Sequence, residues 1–371
     1  MSQGKKGRTA VRVTGALTAI LLSGCAQFTG APSVNQEGDT YTLSAPLDDF
    51  YDFALVETDG GKTAPKVVSL DEAADALSTY DVVFIGETHR HPGNHLAQME
   101  LFKRLYERTP ALTLSLEQFE TDTQPILDAY LAGKIGEETL RDEARAWDNY
   151  PTSYRPLVEF SKKRRLPVIA AEAPTWIIRC VGKMGPAALD KLSPEQRPWA
   201  AAQLHLEDGP YKDKYMRFLG INTSHGAKPG EETPKEGSKT IATHAGPTRE
   251  TALKSFAAQV TRDDTMAEKI YLHLKEHPGR KVVQLDGSFH SESFLGTVER
   301  LQMRMPDLKI AVVNPLQVGD PKAPSFKTGD TTTGTFLLIT YPVPPEYVTD
   351  AEMVAQIRKV MAQRASKKCP L

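Results

Sequence analysis

Six short apolar runs punctuate the chain: DVVFIG at 81–86, LTLSL at 112–116, PVIAA at 167–171, KVVQL at 281–285, KIAVV at 309–313 and FLLIT at 336–340. Each is aliphatic and often β-branched, and none alternates cleanly with polar residues. That is the pattern of a strand covered on both faces. Between the runs, apolar residues recur at three- and four-residue spacing. Leu96, Met99, Phe102, Leu105 and Tyr106 form one stripe over 94–108, and further helices are predicted near 124–132, 154–164, 194–206, 251–275 and 350–363. Strand and helix alternating at this interval predict an α/β fold, a mostly parallel central sheet flanked by helices.

Composition adds limits. The 371 residues are 40% hydrophobic and 25% charged, ordinary for a globular chain. The length suffices for one large α/β domain with a sizeable core. A formal net charge of −2 gives no footprint for nucleic acid, so no nucleic-acid partner is expected. Three cysteines are too few for a disulfide scaffold or a CxxC-type zinc site.

The first residues read as an address. Lys5, Lys6, Arg8 and Arg12 precede a short apolar run over 13–22, which ends in Leu22-Ser23-Gly24-Cys25. The run is too short to span a bilayer. The ending resembles a bacterial lipobox, which implies a signal peptide over 1–24 and a lipidated Cys25 holding the protein to a membrane. Ala26 follows rather than Asp. The expected location is the cell envelope, at the outer membrane facing the periplasm or the surface. Residues 25–65 read as lipidated cysteine and tether, with 47–56 docking as the domain begins, and 66–371 as the α/β domain. Within it, 208–249 is rich in Gly, Pro, Ser, Thr and Lys and reads as an inserted loop, either a plain surface insertion or a mobile cover over a site. Cys180 and Cys369 allow at most one bridge, and the apolar surroundings of Cys180 favour a buried inert thiol.

The candidate chemistry sits at strand ends. The run at 81–86 leads into Glu87-Thr88-His89, and the run at 281–285 leads into Gly287-Ser288-Phe289-His290. Both read strand, then Gly-x-x-His, and glycine permits a sharp turn there. In open parallel sheets, ligands bind outside the carboxyl ends of the strands. Two further runs lead into Glu117 and Glu172. Glu87, His89, Glu117, Glu172 and His290 are therefore the expected catalytic group, and Glu87, His89, Glu117 and His290 the expected ligands for a divalent metal such as Mn, Fe or Zn. His95 is a possible site member and His91 reads as solvent-facing. Asp263 falls on the apolar face of its helix, where it either caps a neighbouring segment or reaches the site from below. GxGxxG after a strand, GxSxG and HExxH are absent from the sequence.

These residues together resemble the ChaN family of haem-binding lipoproteins, within the superfamily that includes Tiki-type metallopeptidases and erythromycin esterase. The pieces are IGETHRHPGNH at 85–95, LSLEQF at 114–119, Gln124 and Tyr130, Trp147 with Tyr154-Arg155-Pro156, LPVIAAEAP at 166–174, Gln259 with 263–267, and GSFH at 287–290. The resemblance implies a ChaN/erythromycin esterase-like fold and an envelope lipoprotein that binds haem in iron acquisition, with haem held in a homodimer on a tyrosine ligand. Tyr154, within the matching stretch, is the first candidate for that ligand and Tyr150 the second, with His95 beside them. The alternative it implies is a metal-dependent hydrolase, a Tiki-like peptidase or esterase acting on a peptide or other small ligand. Glu172 stands where many relatives carry Asn, which makes this site more acidic.

Overall fold

The computed structural model describes residues 33–221 and 248–371, together with Met1. The expected signal peptide, Cys25, the start of the tether and 222–247 of the expected insertion lie outside the described residues.

In chain order the strands are β1 (Val34–Glu37), β2 (Thr40–Leu43), β3 (Phe53–Glu57), β4 (Lys66–Val68), β5 (Val82–Glu87), β6 (Leu112–Glu120), β7 (Val168–Glu172), β8 (Lys281–Gly287), β9 (Ile310–Gln317), β10 (Ser325–Lys327) and β11 (Phe336–Thr340). Eight of them form one sheet in the order β4-β3-β11-β9-β5-β8-β6-β7. Every pairing from β11 to β7 is parallel, and β3 and β4 add an antiparallel margin. The six predicted runs are the six parallel strands. A small antiparallel sheet, β1-β2-β10, stands apart.

Helices cover both faces, so alternate strand residues enter different cores. On one face Val83, Ile85, Val283 and Leu285 pack with Leu101, Phe102 and Leu105 of the Pro92–Arg108 helix and Leu157 and Val158 of the Arg155–Arg164 helix. On the other, Val82, Phe84, Val282 and Val312 pack with Ala267 and Ile270 of the Arg249–Glu276 helix. The exposed edge of β7 is closed by a side chain. Gln124 donates to the Val168 carbonyl (2.9 Å) and accepts from the Ala170 N–H (2.7 Å), standing in for a further strand.

Four segments differ from expectation. Residues 34–57, read as tether, carry β1 to β3, because Leu43, Leu47 and Val56 bury against Val318, Phe326, Leu337 and Ile339 from the far end of the chain. The helix expected over 194–206 shrinks to a single turn, Arg197–Trp199. Backbone N–H groups that would build it are taken by side chains of the long helix: Ala201 by Thr265 (3.0 Å) and His205 by Asp264 (2.7 Å). The start of the expected insertion forms a helix, Pro210–Phe218, whose Tyr211, Tyr215 and Met216 pack on Ala252, Phe256 and Val260. Finally, Cys180 is bonded to Cys369 rather than free. The bond fastens the C-terminal tail to the Thr175–Met184 helix across 189 residues of sequence.

Candidate active site

The register of the parallel strands brings the strand-end residues together. Glu87 pairs with Gly287 across β5 and β8, Leu116 with Leu285 across β6 and β8, and Glu120 with Glu172 across β6 and β7. The four strands are consecutive in the sheet, so Glu87, Glu117, Glu172 and the turn after Gly287 share one rim. Two glycines make the crowding possible. A Cβ at Gly86 would lie 3.2 Å from both Pro315 and the Ser288 backbone. One at Gly287 would lie 2.8 Å from His89 Nε2.

Two imidazoles are each held by a carboxylate. His89 Nδ1 bonds Glu87 Oε1 at 2.8 Å, and His290 Nδ1 bonds Asp263 Oδ1 at 2.7 Å. Such a contact fixes ring orientation and tautomer, leaving Nε2 for the site. The side chain of His89 is 48% exposed and rests edge-on against Trp147, whereas His290 is buried. Hydrogen bonding to Glu87 raises His89 above its ordinary value against the opposing effect of burial. Burial pushes His290 down, yet the charges of Asp263 and Glu117 outweigh it and the net shift is upward.

Glu117 lies close to both imidazoles. It accepts from the Gly287 N–H (2.6 Å) and from Arg262 (2.6 Å), and His290 Nε2 is 3.7 Å from its Oε1. Burial works against its charge, but His290, Arg262 and His89 hold it below the ordinary carboxylate value. Glu172 accepts from the same guanidinium (2.6 Å from Nε) and from the Ala173 N–H (2.8 Å). Its burial wins: Glu172 is pushed up to about 7 despite Arg262, with the Glu117 charge adding to the rise.

Arg262 carries no signal in the sequence: it lies beside Asp263 and one turn beyond Gln259, but nothing in the periodicity marks it as the partner of two strand-end glutamates. Asp263 takes the second of its two expected courses and reaches the site from below; it also accepts from Tyr211 Oη (2.5 Å) and Thr297 Oγ1 (3.0 Å). Tyr211 lay in the expected loop and carried no signal. Asp286, the residue before Gly287, is buried, and burial drives its carboxyl well above the ordinary range.

The remaining candidates form a second layer. Tyr154 is fully buried and its hydroxyl donates to Glu87 Oε1 (2.5 Å), while Gln98 donates to Glu87 Oε2 (2.9 Å). Tyr150 is buried with its hydroxyl unpartnered among the described residues. His95 is buried against Tyr154 and bonds Gln98 (3.0 Å). His91, read as solvent-facing, is buried instead. Its Nδ1 caps the Pro92–Arg108 helix and its Nε2 bonds the Tyr341 carbonyl (2.7 Å), and burial lowers its affinity for a second proton. The cap draws the ring inward, since Pro92 at the first helical position leaves the next N–H groups needing an acceptor.

The expected divalent-metal group does not fit. Among the described residues no three His, Cys, Asp or Glu side chains are arranged to hold an ion. Arg262 places a fixed positive charge on Glu117 and Glu172, and Glu87 already receives three donors. A guanidinium thus neutralises the carboxylates that a cation would need. The site opens into a cleft of about 410 Å3, lined by Trp147, Glu172, Arg262 and residues of the Thr175–Met184 helix and the C-terminal tail.

A parallel sheet with paired imidazoles and carboxylates at its carboxyl rim defines an α/β protein with a rim site. The chain belongs to the ChaN haem-binding uptake family of the Tiki superfamily, whose family model matches residues 73–301. No curated protein matches it. Among solved structures it is similar to ChaN of Campylobacter jejuni with cofacial haem, at 17% identity and a TM-score of 0.52, over 80% of this chain and 100% of that one. An erythromycin esterase, EreC, is similar at 14% identity and a TM-score of 0.42, over 82% of this chain and 86% of that one. The first of these shows the shared fold, a largely parallel sheet flanked by helices.

Proposed function

We propose that the rim site is a metal-independent acid–base centre that hydrolyses an ester or amide bond. The observation that carries this reading is the pair of carboxylate-held imidazoles, Glu87–His89 and Asp263–His290, both close to Glu117 and with Arg262 alongside. In the proposed step His89 Nε2 takes a proton from water as its oxygen attacks the carbonyl carbon. Arg262 faces the oxyanion that forms, and His290, protonated at the start, donates its Nε2 proton to the leaving group as the bond breaks; His89 then releases its proton to solvent and His290 takes one up, restoring the site. Glu87 and Asp263 act as positioning residues. The test is release of 4-nitrophenol from 4-nitrophenyl acetate. Activity that survives EDTA and is lost in both His89→Ala and His290→Ala supports the reading. Activity abolished by EDTA, or unchanged in both variants, overturns it.

A second reading is haem binding in iron uptake, which the family's description supports. Tyr154 and Tyr150 do not fit it, because both are buried and Tyr154 is committed to Glu87. Tyr51 suits it better. It is 61% exposed and lines a groove of about 270 Å3 with Leu96, Met99, Pro156 and Arg90. A phenol to hold ferric iron, apolar side chains and a guanidinium for a propionate are the residues such a ligand requires. Haemin titration tests this. A Soret band that shifts in Tyr51→Phe and not in Tyr154→Phe supports it, and a flat titration of folded protein removes it.

Both readings belong to an envelope lipoprotein anchored through Cys25, with 1–24 as its signal peptide. That proposal rests on the basic, apolar and Leu-Ser-Gly-Cys sequence of the N-terminus. No described helix is long and apolar enough to cross a membrane. Labelling with radioactive palmitate, lost in Cys25→Ser, is the expected result.

A further inference from the structure

The cleft outside the rim site is lined by three cations and two carboxylates. Glu172 shares Arg262 with Glu117, and Glu120 shares Arg145 with Asp122 and accepts from the Thr175 hydroxyl (2.5 Å). The two other cations on its lining, Arg179 and Lys367, have no carboxylate partner among the described residues. Trp147 and Ile178 supply an apolar wall, and Trp147 also carries His89 on its edge. The cleft thus offers a pair of cations beside an apolar surface that leads to the exposed imidazole.

Lys367 owes its place to the tail. Cys369, two residues on, is bonded to Cys180 of the Thr175–Met184 helix. That helix grips the tail backbone as well, Arg179 donating to the Lys368 carbonyl (3.5 Å) and Lys183 to the Lys367 carbonyl (2.6 Å). Without the covalent link, the exposed segment around Lys367 is held by such surface contacts, which are weak, and by the packing of Leu371 against the apolar cluster of Ile177 and Val181.

The geometry points to Arg179 and Lys367 as a carboxylate-recognition pair: the ligand of the rim site carries a carboxylate on an apolar body, and the Cys180–Cys369 disulfide holds half of the pair in place. This rests on the rim site being the place where ligand is bound and turned over. A planar guanidinium and a mobile ammonium suit a carboxylate, the first by its paired N–H groups and the second as a point charge.

The test uses the full chain and two probes, 2-naphthoate and the neutral, non-hydrolysable 2-acetylnaphthalene, with binding read by equilibrium dialysis. The wild type is expected to prefer naphthoate. Arg179→Gln with Lys367→Gln should weaken naphthoate binding about tenfold and leave 2-acetylnaphthalene unchanged. Lys367→Gln alone, at an exposed position, keeps the test independent of folding and should account for part of that loss. Cys180→Ser with Cys369→Ser should reproduce the loss seen for Lys367→Gln. A wild type that does not prefer naphthoate, or a preference retained in the Gln variants, overturns the pair. Naphthoate binding that is unchanged in the Ser variant overturns the role of the disulfide. Turnover is not read here. If the hydrolytic reading alone fails, the naphthoate preference persists in a protein that releases no nitrophenol.

Discussion

His290 and Asp263 meet at 2.7 Å, joining the turn after β8 to the middle of the Arg249–Glu276 helix. The contact sits below the rim, and it aims the other ring nitrogen at Glu117. Asp263→Asn keeps the shape and removes the charge that raises the His290 pKa. The expected result is a fall in kcat of about 10²–10⁴-fold, the usual contribution of a positioned general acid or base. A pH–rate profile should show the limb assigned to His290 moving to lower pH. Unchanged kcat with only a lower melting temperature would assign Asp263 a purely structural role.

Glu87 plays the matching part for His89. As the hydrogen bond to Glu87 is the main reason His89 titrates above its ordinary value, Glu87→Gln should lower that pKa. If His89 is the base, kcat/KM rises as it loses its proton. The rising limb of the profile should therefore move to lower pH in the variant, while the maximum rate falls. A limb that stays put would remove His89 from that role.

Arg262 is the cation shared by two buried carboxylates. Arg262→Met leaves Glu172 without its ion-pair partner and Glu117 with the imidazoles alone, and removing one partner of a buried ion pair costs about 3–5 kcal/mol. Urea unfolding should show a loss in this range at pH 8 and a smaller one at pH 5, where Glu172 is protonated. Equal losses at both pH values would mean that charge is not the cause.

Glu172 should leave its own trace in stability. Burial, opposed by Arg262 and reinforced by Glu117, raises its folded pKa from 4.5 to about 7. A group raised in this way contributes stability that is complete below the unfolded value and is lost as pH rises through the folded one. The melting temperature of the wild type should carry a downward component between pH 4.5 and 7, and Glu172→Gln should remove it. A difference between the two proteins that does not change over that window would contradict the assignment.

Gly287 touches chemistry through space rather than charge. A methyl group there would fall 2.8 Å from His89 Nε2 and 2.9 Å from Cε1. The backbone at Gly287 (φ −59°, ψ 133°) accepts any residue. Gly287→Ala should fold normally by circular dichroism and yet displace the His89 ring, lowering activity with little loss of stability. Full activity would mean that His89 is free to move.

The sequence by itself determined the six parallel strands, because a short aliphatic run flanked by turn residues is a local signal that needs no partner to be read. With them came the parallel sheet and the expectation that Glu87, His89, Glu117, Glu172 and His290 stand on one rim. Tertiary structure decided the rest. Chain order runs β5, β6, β7, β8, but sheet order runs β5, β8, β6, β7, and only that exchange places His290 between the strands of Glu87 and Glu117. The pairing of Arg262 with Glu117 and Glu172, the burial of His91 beneath Tyr341, the strands formed by residues 34–57 and the Cys180–Cys369 bond have the same origin. Each depends on which distant groups share a poorly hydrated interior. There an unmatched charge or an unbonded polar group is costly, so the partner is fixed by proximity in the folded chain and leaves no periodic mark along it.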